Sequence, residues 1–102
     1  MYEITVIYNH PADPAAFDDY YWNTHVALAR KIPGLQSASF VKCDTLDGST
    51  PSHYGIARLV FDSKDQALAG LGSPEGQVTS ADVANFASGG ATLLFAGDPD
   101  KI

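Results

Sequence analysis

The sequence predicts an α+β domain with the element order β-α-β-β-α-β. Three observations carry that prediction. The N-terminal segment alternates, with Tyr2, Ile4, Val6 and Tyr8 set against Glu3, Thr5 and Ile7, the period of a strand. A long stretch with helical periodicity follows it. Three further apolar, strand-length runs come later, with a second helical stretch between the last two.

The elements can be justified in turn. After the first strand, His10-Pro11 and Asp13-Pro14 break the chain, because a residue before proline is pushed out of the α region. Asp13 suits a helix N-cap, and Pro14 the first helical position, where its missing N–H is no loss. A helix is expected from about Pro14 to Lys31. At the helical period Phe17, Tyr21, Thr24, Leu28 and Ile32 form its apolar stripe, with Tyr20 on the margin. Pro33-Gly34 stops it, and Arg30 and Lys31 suit the negative end of its dipole. Leu35–Lys42 reads as the second strand. The turn-rich DTLDGSTPS segment contains an Asp47-Gly48 pair that suits a hairpin connection. Tyr54–Phe61 is the third strand. Asp62-Ser63 opens a short helix over Lys64–Leu71. Ser73-Pro74 repeats the cap-then-proline pattern for a second helical piece reaching about Ala87, with Thr79, Val83 and Phe86 as its stripe. Gly89-Gly90 ends that piece, and Ala91–Ala96 is the last strand.

This is the ferredoxin-like order, in which both helices cover one face of a four-stranded antiparallel sheet, although order alone leaves other α+β arrangements open. The strands are apolar on both faces. Ile56 and Val60 oppose Ala57, Leu59 and Phe61; Leu93 and Phe95 oppose Leu94 and Ala96; Phe40 opposes Val41. Helices on one face leave an apolar patch larger than a monomer ordinarily exposes. The simplest cover is a second copy of the sheet, so a homodimer joined through sheet faces is expected.

Composition narrows the function classes. At 102 residues the chain has room for one domain, here residues 1–102. Twelve acidic residues against six basic ones give a formal charge of −6, which disfavours nucleic acid and anionic membranes as partners. Cys43 is the only cysteine, so there is no intrachain disulfide, and it has no evident activating base. The N-terminus lacks the basic-then-apolar pattern of a signal peptide, and no run is long enough to span a bilayer. A cytoplasmic protein is the expectation. His10, His25 and His53 have no metal-ligand spacing, and no phosphate loop, dinucleotide fingerprint or nucleophile elbow is present. No metal or organic cofactor is expected.

Two residues stand out as candidates for chemistry. His25 falls about 60° from the centre of the first helix's stripe, on a ridge with Trp22 and Ala29. Such a histidine is ordinarily half-buried and structural. At the rim of a cleft between helix and sheet it becomes a general acid or base, the task to which imidazole is suited. Asp82 lies on the shoulder of the second helix. If the helices lie side by side, it can meet His25 across the groove and fix one tautomer. Tyr8, Tyr21, Tyr54 and Arg58 are the candidates to line the same cleft with Trp22. Arg58 shares a face with Ile56 and Val60, so it is expected at the sheet end or paired with an acid.

The run Tyr20-Tyr21-Trp22, with His25 three residues on and Pro33-Gly34-Leu35 after the helix, resembles the EthD family, named for ethyl tert-butyl ether degradation. Ser73-Pro74-Glu75-Gly76, followed by Asp82 and Asn85-Phe86, resembles that family's second helix. The resemblance covers almost the whole chain. One departure is Ala27, where many relatives have proline. The resemblance implies a ferredoxin-like subunit paired into a dimeric α/β barrel. The wider superfamily contains cofactor-independent monooxygenases, muconolactone isomerases and polyketide-modifying enzymes, and EthD itself is associated with an ether-degrading cytochrome P450 system. Two functions therefore stand beside each other. One is a cofactor-independent enzyme of isomerase, decarboxylase or monooxygenase type, with His25 as acid/base and Asp82 as its partner, acting on a small hydrophobic or aromatic molecule. The other is a non-catalytic dimeric accessory or ligand-binding protein of a degradative oxygenase system.

Overall fold

The computed structural model describes all 102 residues. Strand β1 (Tyr2–Tyr8) leads into helix α1 (Pro14–Tyr20), which runs through a π-helical turn (Tyr21–His25) into the short helix α2 (Val26–Ala29). Strands β2 (Ser37–Lys42) and β3 (Gly55–Phe61), helices α3 (Lys64–Gly72) and α4 (Pro74–Asp82), a 3-10 turn (Val83–Asn85) and strand β4 (Ala91–Ala96) complete the chain. The sheet order is β2-β3-β1-β4, and every pair is antiparallel. This is the ferredoxin-like α+β fold that the element order predicts.

The caps form as the sequence implies. Asp13 Oδ1 accepts from the Ala16 N–H, and Ser73 Oγ accepts from the Gly76 N–H. Gly34, just beyond α2, has φ +80, the left-handed conformation that glycine adopts without a Cβ clash. Asp47-Gly48 lies within the connection between β2 and β3. Gly48 has φ +79, and Asp47 Oδ1 accepts from the Ser49 N–H.

The first helix differs from the expectation of one regular helix to Lys31. The Val26 N–H donates to the Tyr21 carbonyl, five residues back, which widens the turn. The residues that face the sheet are therefore spaced by four: Phe17, Tyr21 and His25 are all buried, while Thr24, expected on the stripe, is exposed. A regular helix would have carried His25 round to the shoulder; the π turn rotates it onto the sheet side. α2 then ends early, in i→i+3 bonds from Lys31 to Leu28 and from Ile32 to Ala29.

The core lies between the helices and the face of the sheet bearing Ile4, Val6, Tyr8, Ala57 and Phe61. Its centre is aromatic: Tyr8, Phe17, Tyr21, Phe40 and Phe86 meet with ring centroids 4.6–6.3 Å apart. On the opposite face Ile7, Ile56 and Val60 are half-buried, and Val41 and Leu94 are exposed. Edge strand β4 is open on both faces, since Phe95, which points to the helix side, is 53% exposed. No helix is long and apolar enough to cross a membrane.

Candidate functional site

The π turn delivers His25 to a position under α4, where Asp82 ends the last turn of that helix. Both side chains are buried, with 6% and 7% of their residues exposed. His25 Nδ1 lies 2.8 Å from Asp82 Oδ2. The other carboxylate oxygen, Oδ1, accepts from the Tyr20 hydroxyl at 2.6 Å and from Asn85 Nδ2 at 3.0 Å. Burial pushes the Asp82 carboxyl up, but the hydrogen bonds from Tyr20, Asn85 and His25 outweigh it and hold the group below its ordinary value. Asp82 is therefore a carboxylate, and Nδ1 must be the donor. In neutral His25 the lone pair is then on Nε2.

Nε2 has no hydrogen-bond partner in the chain, yet no fully buried side-chain nitrogen or oxygen lacks one. The atom thus keeps some accessible surface, and His25 borders a cavity of about 420 Å³ between the helices and the sheet. Of the 22 residues lining it, 16 are hydrophobic. Tyr8 and Tyr21 also line it, and they are the buried phenols of the aromatic core. Burial pushes the Tyr21 phenol up to about 12 and the Tyr8 phenol higher still, so both keep their protons at neutral pH. The size and the apolar wall with a few polar atoms are those of a small-molecule site.

Comparison with known proteins identifies the chain. Residues 9–90 match the model of the EthD domain. The chain belongs to the EthD family. It is 56% identical over 95 residues to an uncharacterized 11.0 kDa protein of the thcB–thcC intergenic region in Rhodococcus erythropolis, covering 93% of this chain and 92% of that one. Its fold is similar to that of an EthD family protein from Bacillus halodurans C-125, with TM-score 0.90 and 28% identity over 97% of this chain and 99% of that one. Two more distant structures share the fold alone. A dimeric ferredoxin-like protein from Thermobifida fusca YX has TM-score 0.70 and 12% identity, covering 93% of this chain and 88% of that one. SnoaB, a cofactor-independent oxygenase from Streptomyces nogalater, has TM-score 0.65 and 14% identity, covering 99% and 94%.

Within this EthD domain, the residues singled out from sequence fall into three places. His25, Tyr8, Tyr21 and Trp22 border the cavity. Trp22 is 54% exposed, however, and its ring packs edge-on against Tyr21 and Phe40 instead of forming a ridge with His25. Tyr54 is elsewhere: its hydroxyl donates to Asp18 Oδ1 at 2.6 Å, and its ring packs on Phe17. It immediately precedes β3 and does not line the cavity. Arg58 borders the cavity from mid-strand, but alternation points its Cβ to the open face, between Thr5 and Ser39 of the neighbouring strands. It is neither at the sheet end nor paired with an acid, contrary to expectation.

Tyr20 and Asn85 are the site residues that sequence reasoning passed over. Asn85 follows Asp82 by three residues, a spacing that brings side chains together on a helical turn. Tyr20 was visible as the margin of the stripe. The remaining histidines tie loops: His10 Nε2 is 2.6 Å from the Pro51 carbonyl, and His53 Nδ1 is 3.2 Å from Asn9 Oδ1.

Proposed function

We propose that this EthD protein binds a small hydrophobic or aromatic molecule in the cavity between helices and sheet, and that His25 acts there as general acid/base with Asp82 as its orienting carboxylate. The observation that carries the reading is the division of the imidazole. Nδ1 is committed to a buried carboxylate, while Nε2 has no partner and borders an apolar cavity. A carboxylate on Nδ1 fixes the tautomer and stabilises the imidazolium that forms when Nε2 takes a proton. Proton transfer, as in isomerisation or decarboxylation, follows from these groups alone. Oxygenation of an activated substrate by the same base is the second chemistry open to these groups; SnoaB, a cofactor-independent oxygenase, shares the fold alone.

The protein is proposed to act as a homodimer packed through the open sheet face. Ile7, Ile56, Val60 and Leu94 make that face apolar, and structural neighbours are dimeric ferredoxin-like proteins. Among the strand residues on that face Arg58 is the one cation and Glu3 the one acid, a charge pair that a two-fold copy can satisfy reciprocally. A dimer mass by size-exclusion chromatography with light scattering, falling to a monomer mass in Leu94→Asp, is the expected result. A monomeric wild type at micromolar concentration would sink it.

Native mass spectrometry of the purified protein is the first search for a retained compound. Turnover of that compound is then compared between wild type and His25→Ala, with folding checked by circular dichroism. Loss of turnover with binding retained is expected for an acid/base. Unchanged turnover defeats that role and favours a ligand-binding or accessory protein.

A further inference from the structure

The cavity contains polar atoms that the fold itself leaves unused. Beside Nε2 of His25, the hydroxyls of Tyr8 and Tyr21 make no hydrogen bond in the chain, although both residues are buried. Neither hydroxyl is sealed, since every fully buried polar side-chain atom has a partner. Tyr8, only 1% exposed, therefore has what contact it retains at its oxygen, on the cavity side. Phenylalanine would pack the same aromatic core without two unpaired hydroxyls to desolvate. The two phenol rings are 6.0 Å apart and the Tyr21 and His25 rings 5.5 Å apart, so one small molecule can reach all three.

We propose that Tyr8 and Tyr21 together donate to one carbonyl oxygen of the ligand, opposite the free nitrogen of His25, and that the site takes a mainly apolar, uncharged ketone or ester with a C–H next to that carbonyl. This rests on the cleft reading above and narrows it. Both phenols carry their protons at neutral pH, and burial only pushes their ionisation further up, so both are donors. The buried wall offers a ligand no free charge: both Asp82 oxygens are occupied, and Arg30 and Arg58, which border the cavity, are exposed. The reaction balances without an oxidant. His25 Nε2 takes the proton from the carbon beside the carbonyl, and the C–H electron pair forms a C=C bond. The carbonyl π pair moves to oxygen, where two O–H donors hold the enolate while Asp82 holds the imidazolium. The proton returns from Nε2 to the same carbon or to a conjugated one.

The test uses 2-tetralone and its hydrocarbon counterpart tetralin, with binding read by calorimetry and deuterium uptake beside the carbonyl read by NMR in D₂O. Wild type should bind the ketone more tightly than the hydrocarbon and accelerate exchange over buffer. Tyr8→Phe/Tyr21→Phe should lose that preference and slow exchange by about a hundredfold, the effect of removing oxyanion donors. The double variant has no internal hydrogen bond to lose, so it should fold. His25→Gln should keep the preference and lose the exchange. Equal affinity for ketone and hydrocarbon in wild type, or unchanged exchange in the double Phe variant, overturns the paired-donor role and leaves the cleft intact. Preference without exchange in wild type removes the proton transfer and the base together. Binding of neither probe overturns the cleft reading and this one with it.

Discussion

Two aspartates in this protein are wired almost identically and sit in different surroundings. Asp82 takes a tyrosine hydroxyl on Oδ1 and the His25 nitrogen on Oδ2; Asp18 takes the Tyr54 hydroxyl on Oδ1 and the Lys42 ammonium on Oδ2. Both tyrosine bonds are 2.6 Å, and both carboxyls are held below their ordinary value against the effect of burial. The Asp82 pair is sealed under α4, with side chains 7% and 8% exposed, whereas the Lys42 side chain is 55% exposed. The same bonds thus make a fixed device in one place and a surface tie in the other. What separates them is the loss of water as a replacement partner: at the His25–Asp82 bond, a missing partner has nothing to take its place.

The largest break in this comparison should come from the π turn. Deleting Ala27, which is exposed and follows His25, removes the extra residue that the wide turn accommodates and lets the segment close as a regular helix. His25, still four residues after Tyr21, then takes the shoulder position of a regular helical period, off the Asp82 side. We expect the hydrogen-bonded Nδ1 proton, observable downfield by NMR, to disappear while the Asp18–Tyr54 tie persists. Survival of that signal would show that the π turn does not position the histidine.

Removing each aspartate is the next test. Asp82→Ala strands the buried His25 donor, removes the acceptor shared by the half-buried Tyr20 and the exposed Asn85, and is expected to cost about 3 kcal/mol in urea unfolding. Asp18→Ala should cost several-fold less, because exposed ion pairs contribute little and water can replace the lost acceptor. Equal costs would mean that burial does not distinguish the clusters.

That contrast also shows what the sequence made legible. Strand alternation and the Asp13-Pro14 and Ser73-Pro74 caps reveal the fold because they are local signals. The two-sided strands point to an uncovered sheet face by the same arithmetic of alternation. The site was harder to read. The pairing of His25 with Asp82 joins residues 57 apart and is visible only once the helices are laid side by side. The burial of His25 depends on a π turn, and a constant helical period puts Thr24 in its place. Tyr54 and Tyr20 are equivalent as letters; only the packing decides which of them reaches the buried aspartate.

A milder change should leave the Asp82 device in place and retune it. Tyr20→Phe removes one of the three bonds that hold the Asp82 carboxyl low. Its titration, followed by the carboxyl carbon shift, is expected to move up toward the ordinary range, while Asp18 stays where it is. An unmoved Asp82 would assign the effect to Asn85 and His25 alone.

The smallest effect expected is on the salt dependence of acid unfolding, and its sign follows from the direction of the shifts. Both carboxyls titrate in the folded chain below their ordinary 3.8, so the unfolded chain binds more protons in that window. The stability that each contributes is fully present above that ordinary value and is lost as pH falls through the folded value. At low salt both should contribute to the loss, so Asp18→Asn and Asp82→Asn should each flatten it. Raising the salt to ~1 M screens the exposed Lys42–Asp18 attraction and leaves the sealed pair largely untouched. The flattening caused by Asp18→Asn should then shrink, while that caused by Asp82→Asn should persist. Urea midpoints between about pH 5 and pH 2 measure it, and equal salt sensitivity of the two variants would place both aspartates in the same solvent environment.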